Sequence, residues 1–164
     1  MPAHMTSCLV PHSADLPPTP STPETLAYSF TLPASPQTPA IARTAVRTIL
    51  QVHHLGELTD PAVQVVSELT ACACRFTPSA DIYVSLRYRD AALRVSLFDG
   101  HPRHINPRLA TACDSRRRAA LRVLACVVRA CEGDWDFGEA REPGGGTRMW
   151  AVLPRTAASA YLRT

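Results

Sequence analysis

Two short runs of alternating residues constrain this chain more than any other feature. In "DIYVSLRYRD", Ile82, Val84, Leu86 and Tyr88 fall on one side and Tyr83, Ser85, Arg87 and Arg89 on the other, the period of a strand buried on one face. "LRVSLFDG" repeats the alternation with Leu93, Val95 and Leu97. Only Arg89 to Ala92 intervene, so the two runs pair as an antiparallel hairpin. One face of that hairpin is apolar, and another layer must cover it.

The remaining segments supply that layer. "SPQTPAIARTAVRTILQVHHLG" offers Thr38 as N-cap, Pro39 at the first helical position and Gly56 as a stop, with Ile41, Ala45, Ile49 and Val52 on one face. "TDPAVQVVSELTACACRF" is a second helix, starting at Pro61 behind Thr59 or Asp60 and ending near Phe76. After a loop, "GHPRHINPRLATACD", a third helix "SRRRAALRVLACVVRACEG" carries Leu121, Leu124, Val127, Val128 and Cys131 as its buried stripe and Gly133 as its stop. "AYSFTLP" is a first strand, and "DWDFGEARE" and "TRMWAVL" are two last strands joined through Pro143-Gly144-Gly145-Gly146. Strand, helix, helix, strand, strand, helix, strand, strand predicts an α+β two-layer sandwich, a mixed but mostly antiparallel sheet with three helices on one face.

The first 26 residues hold Pro2, Pro11, Pro17, Pro18, Pro20 and Pro23 among Ser and Thr, a composition that resists helix and sheet. Residues 1–26 therefore read as a disordered tail, with Met5 as a rival start, residues 27–155 as one domain and 156–164 as a C-terminal tail. No basic-then-apolar leader opens the sequence and no apolar run reaches the ~18–20 residues of a membrane helix, so the expected setting is cytoplasmic. In that setting the six cysteines (Cys8, Cys72, Cys74, Cys113, Cys126 and Cys131) are thiols rather than disulfides. The net charge of +3 is too small to argue for nucleic acid.

The order of elements and four local motifs resemble the ATP-binding domain of the GHKL proteins (gyrase, Hsp90, histidine kinases, MutL), and within them the small anti-sigma-factor serine kinases of bacterial partner switching. "FTLPASPQTPAIARTAVRTIL" looks like that subfamily's first strand and helix, "VVSELTACACRF" like its acidic and Asn-bearing helix, "LRVSLFDGHP" like its adenine-binding strand, and "GGGTRMWAVLP" like its closing Gly-Gly-x-Thr strand. The resemblance covers about residues 28–154 and implies the GHKL (Bergerat) fold and ATP or ADP as ligand.

Carried over residue by residue, the resemblance makes Glu68 the general base. It makes Asp99 the acceptor from the adenine amino group, supported by the Thr147 hydroxyl, with Gly144, Gly145 and Gly146 permitting close backbone approach. Cys72 stands where the family has the Asn that holds Mg²⁺. A thiol is a poor ligand for that hard ion, which argues against Mg²⁺-bridged phosphate binding. The family's glycine turn into the third helix is replaced by "DSRRRAALRVL", where Arg116, Arg117 and Arg118 could restore attraction for phosphate by charge from a first helical turn that disfavours cations.

The implied partner is a sigma factor or an anti-sigma antagonist, with a homodimer possible, no membrane, and nucleic acid unlikely. Two functions follow: a regulator that binds ATP or ADP and its partner, phosphorylating a Ser or Thr of that partner only if active despite Cys72 and the missing glycine turn, or a pseudo-ATPase that only binds protein. His53-His54 and His101-x-x-His104 have no flanking Cys or carboxylate set at a recognisable spacing, so they read as helix-end and loop residues and no metal site is assigned. Trp135 and Trp150 read as packing residues. Cys72 and Cys74 lie about 200° apart on a helix and cannot share a metal; Cys74 falls on the core arc with Val63, Val66, Thr70 and Ala73, and Cys72 on the nucleotide flank.

Overall fold

The hairpin forms as its alternation requires. In a computed structural model that describes residues 19–78, 80–141 and 145–161, strand β2 (Asp81–Arg89) and strand β3 (Ala92–Asp99) pair antiparallel, with Leu86 opposite Val95 and Val84 opposite Leu97. Asp90 and Ala91, both at positive φ, make the two-residue turn, the mirror-image type whose twist suits a hairpin. Strands β1 (Ala27–Pro33), β4 (Asp134–Glu139) and β5 (Thr147–Pro154) complete an open five-stranded sheet in the order β1-β2-β3-β5-β4. Every pairing in it is antiparallel.

The helical layer comprises α1 (Thr38–Val52), α2 (Thr59–Phe76), α3 (Pro107–Ala120), α4 (Arg122–Ala130) and the short α5 (Arg155–Ala158). Ile82, Val84 and Leu86 of β2, Leu93, Val95 and Leu97 of β3 and Met149, Ala151 and Leu153 of β5 pack with Val65, Leu69, Leu124 and Val128 of the helices in one core. The two-layer α+β sandwich is thus the observed architecture. Leu26 and Ala158 are also buried in that core, so the packed unit takes in residues on both sides of 27–155. No helix among the described residues is long and apolar enough to cross a membrane.

Three local readings are corrected. In α1 the buried column is Thr38, Ala42, Val46 and Leu50, whereas Ile41 and Val52 are about half exposed. Both stripes are apolar at helical spacing, and packing against α2 selects between them. Second, Gly56 and Gly133 are not the residues that turn the chain out of the helices: His54 and Glu132 take the left-handed conformation. The amides of Leu55 and Gly133 then close back on the carbonyls of Leu50 and Val128 at 2.8 and 2.9 Å, the Schellman arrangement. Gly133 is needed for another reason, since a Cβ there would lie 2.2 Å from the Val152 carbonyl oxygen.

Third, the segment expected as a loop and a single helix is α3 plus α4, parted at Leu121. Helix α3 begins eight residues before Ser115, where the Asn106 side chain accepts from the amides of Arg108 (2.9 Å) and Leu109 (3.4 Å) and Pro107 takes the first position. Replacing Asn106 by Ala removes this cap from an exposed helix end and is expected to cost about 1 kcal/mol, read as a lowered urea midpoint with unchanged slope; an unchanged midpoint would show the cap to be dispensable.

Candidate functional site

The early start of α3 changes what its arginines do. Arg117 and Arg118 sit in the last turn of α3 rather than in a first turn, where a cation is favourable to the helix dipole. Cys113, Arg117, Leu121, Leu124 and Val128 follow at spacings of four, four, three and four, so Arg117 occupies a core-facing position in a column otherwise ending in apolar residues. Its side chain is 1% exposed.

That inward arginine meets Asp99. Arg117 Nη1 donates to Asp99 Oδ2 at 2.7 Å and to the Met149 sulfur at 3.2 Å, and the guanidinium lies 4.1 Å from the centre of the Phe76 ring. The other carboxylate oxygen, Oδ1, accepts from the His101 backbone N–H at 3.0 Å. Both oxygens of Asp99 are therefore engaged within the protein. Arg117 Nη2 is buried without a hydrogen-bond partner. Thr147, opposite Asp99 in the β3–β5 register, donates its hydroxyl to the His101 carbonyl at 3.2 Å. Gly146 has φ +97°, and a Cβ there would lie 2.2 Å from the Asp99 carbonyl oxygen; here glycine is required by both conformation and space.

Cys72 joins this cluster from α2. Contrary to the flank assigned to it, it is 3% exposed and part of the core, while Cys74 is only half-buried and its thiol points to the Ser35 carbonyl at 3.5 Å. Burial pushes the Cys72 thiol up to about 11, against the pull of the Arg117 charge and with a smaller push from Asp99. A protonated thiol in such a place is a small hydrophobe, not a metal ligand. Glu68, one turn earlier, is half-buried and accepts from Gln64 Nε2 at 3.0 Å.

Cys72, Asp99, Arg117, Gly146 and Thr147 are thus brought together. The three arginines are not: Arg116 faces a cavity, and Arg118 stacks on Phe137 at 5.0 Å and reaches Trp135 at 5.9 Å. Gly145 is exposed at φ +80°, and Gly144 lies outside the described residues. The free space bordered by His101, Cys113, Arg117 and Thr147 is only about 10 Å³, no more than one water requires.

A larger cavity, about 560 Å³, also borders His101 and is lined by Arg75, Phe76, His101, His104, Cys113 and Arg116. Sequence reading missed Cys113 because it placed that residue in a loop. As a member of α3, one turn before Arg117, it brings its thiol 3.1 Å from His101 Nε2. His101 is further edged by Phe76 and His104, with ring centres 5.3 Å away in each case. Burial and then the Arg117 charge lower the basicity of its imidazole.

The sheet face opposite the helices carries Tyr83, Arg87, Arg94, Phe98, Arg148 and Trp150 around a shallow depression. Arg94 stacks 4.9 Å from Trp150 and Arg148 5.7 Å from Phe98. Arg87, Arg94 and Arg148 form no ion pair among the described residues, and Arg148 Nε is buried without a partner. Asp136, opposite Trp150 in the register, lies at the rim on β4.

No protein-family model matches this chain, and no curated protein matches it.

Proposed function

We propose that the chain is a cytoplasmic regulatory protein similar to the anti-sigma serine kinases that acts as a protein-binding module, with the nucleotide site given over to structure. The observation that carries this reading is Asp99. The carboxylate that the resemblance assigns to adenine is held by the Arg117 guanidinium at 2.7 Å and the His101 amide at 3.0 Å, and is itself buried. An adenine amino group would have to break a buried ion pair to reach it, at a cost that a single neutral hydrogen bond does not offset. Cys72, buried and protonated, offers nothing to Mg²⁺.

The partner in this reading is a sigma factor or its antagonist. The arginine and aromatic face of the sheet suits an acidic surface on either, because guanidiniums held over aromatic rings and without an ion pair among the described residues can donate to carboxylates. The rival, a kinase using Glu68 as base with ATP and Mg²⁺, requires Arg117 to swing out first.

Thermal unfolding with millimolar ATP or ADP, with and without Mg²⁺, separates the two. The expected result is no shift. A ligand at 100 times its dissociation constant adds about 2.7 kcal/mol, so a reproducible rise with nucleotide would overturn the pseudo-ATPase reading. Calorimetric titration with purified sigma factor or antagonist should show binding that ATP leaves unchanged and that weakens in Arg94→Ala and Arg148→Ala; absence of binding to both would remove the protein-binding half.

A further inference from the structure

We propose that His101, His104 and Cys113 form a zinc site, with its fourth coordination position open to the 560 Å³ cavity. The donor atoms of the three side chains all lie within 4.8 Å of one another, and all three residues are half-buried. Two come from the chain just after β3 and the third from α3. Fold and not sequence spacing therefore assembles the set: Cys113 is twelve residues from His101, with an intervening helix start that hides the relation.

The chemistry of the set selects the metal. One thiolate with two imidazoles is a borderline-soft donor set, suited to Zn²⁺ and unsuited to Mg²⁺ or Ca²⁺. With bonds of about 2.0–2.3 Å, a tetrahedral ion holds its ligands about 3.3–3.6 Å apart. His101 Nε2 and Cys113 Sγ already stand at 3.1 Å. No pair has to close by more than about 1.5 Å, and His104 belongs to the irregular stretch at 100–104, which has no ladder or helical bonds to lose.

The surroundings match those of a built site. The His101 ring is packed edge-on against the Phe76 ring, centres 5.3 Å apart, a contact that restrains its orientation. With only three protein ligands the ion keeps an exchangeable position, and it faces the cavity beside Arg75 and Arg116, which favour an anionic fourth ligand. His101 meets the Asp99 cluster through its backbone N–H and C=O, whereas the zinc site uses side-chain donors alone, so metal binding and nucleotide binding are read by separate experiments.

The test uses Co²⁺ as a spectroscopic substitute on the reduced full-length protein. The expected spectrum has intense visible bands of a tetrahedral ion and a near-ultraviolet thiolate charge-transfer band, both abolished by stoichiometric Zn²⁺. Cys113→Ser should lose the charge-transfer band, and His104→Ala should weaken binding by more than the about 10- to 100-fold typical of losing an outer contact. Cys126→Ser, altering an exposed thiol, should leave the spectrum intact. In the unmutated protein Zn²⁺ should also protect Cys113, and not Cys126, from alkylation as read by peptide mass, which removes dependence on any variant folding. Absence of the cobalt spectrum, its survival in Cys113→Ser, or alkylation of Cys113 indifferent to Zn²⁺ would each overturn the site.

Discussion

Arg117→Ala is expected to cost about 3–5 kcal/mol, because it leaves the Asp99 carboxylate buried without its counter-charge. The pair is sealed, with side chains 1% and 0% exposed, so water cannot take over from the guanidinium. For a domain of this size the loss corresponds to a melting temperature lower by about 6–20 °C. The double variant Asp99→Asn with Arg117→Met should recover most of it. Asn keeps an acceptor for the His101 amide, the charge that needed pairing is gone, and Met fills the column between Cys113 and Leu121 without an unpaired donor. Exchanging a buried ion pair for packed neutral groups is often neutral or stabilising by about 1–4 kcal/mol, and relief of the unpartnered Arg117 Nη2 works in the same direction. Urea denaturation of the two variants decides the matter: a single variant within about 1 kcal/mol of the parent would mean that the pair is not the closed, dry contact described.

The Cys72 thiol has a second large and measurable consequence, at alkaline pH. Burial raises its ionisation from 9.0 to about 11, so between those values the unfolded chain gives up a proton that the folded chain retains. Unfolding is then favoured as pH rises. The contribution of Cys72 is whole below about pH 9 and is lost as pH climbs through about 11, a change on the order of 2–3 kcal/mol in all. Comparing the parent with Cys72→Ala isolates it, because Cys74 and Cys131, also raised by burial, are common to both. The stability difference between the two proteins should shrink by about 2 kcal/mol from pH 9 to pH 11; a constant difference would show that burial does not raise Cys72. At pH 8 the same burial should make Cys72 far slower to alkylate than the exposed Cys126.

What sequence determined by itself is the architecture. Alternation in β2, β3 and β5 is a local, period-two property, and a one-residue slip would have turned Leu86, Val95 and Ala151 to solvent, so strand identity, register and the buried face follow from it. Helix α2 is equally local: it ends at Phe76 as expected, although it begins at Thr59 behind Leu58 rather than at Pro61 behind a Thr59 or Asp60 cap. Tertiary structure decided everything that depends on which of two acceptable faces is covered. In α1 the stripe through Ala42 and Val46 won over the one through Ile41 and Val52 because α2 packs on it. In α2 Cys72 went into the core and Cys74 to its margin. In α3 the Asn106-Pro107 start was present in the letters but lay within a polar stretch that reads as loop, and only the folded chain shows that the helix begins there. That one shift turned Arg117 inward onto Asp99, sent Arg116 and Arg118 elsewhere, and carried Cys113 to His101. A charged residue can be placed in a core only when its counter-charge is already fixed there, and that counter-charge stands eighteen residues away on another element; no local pattern contains it.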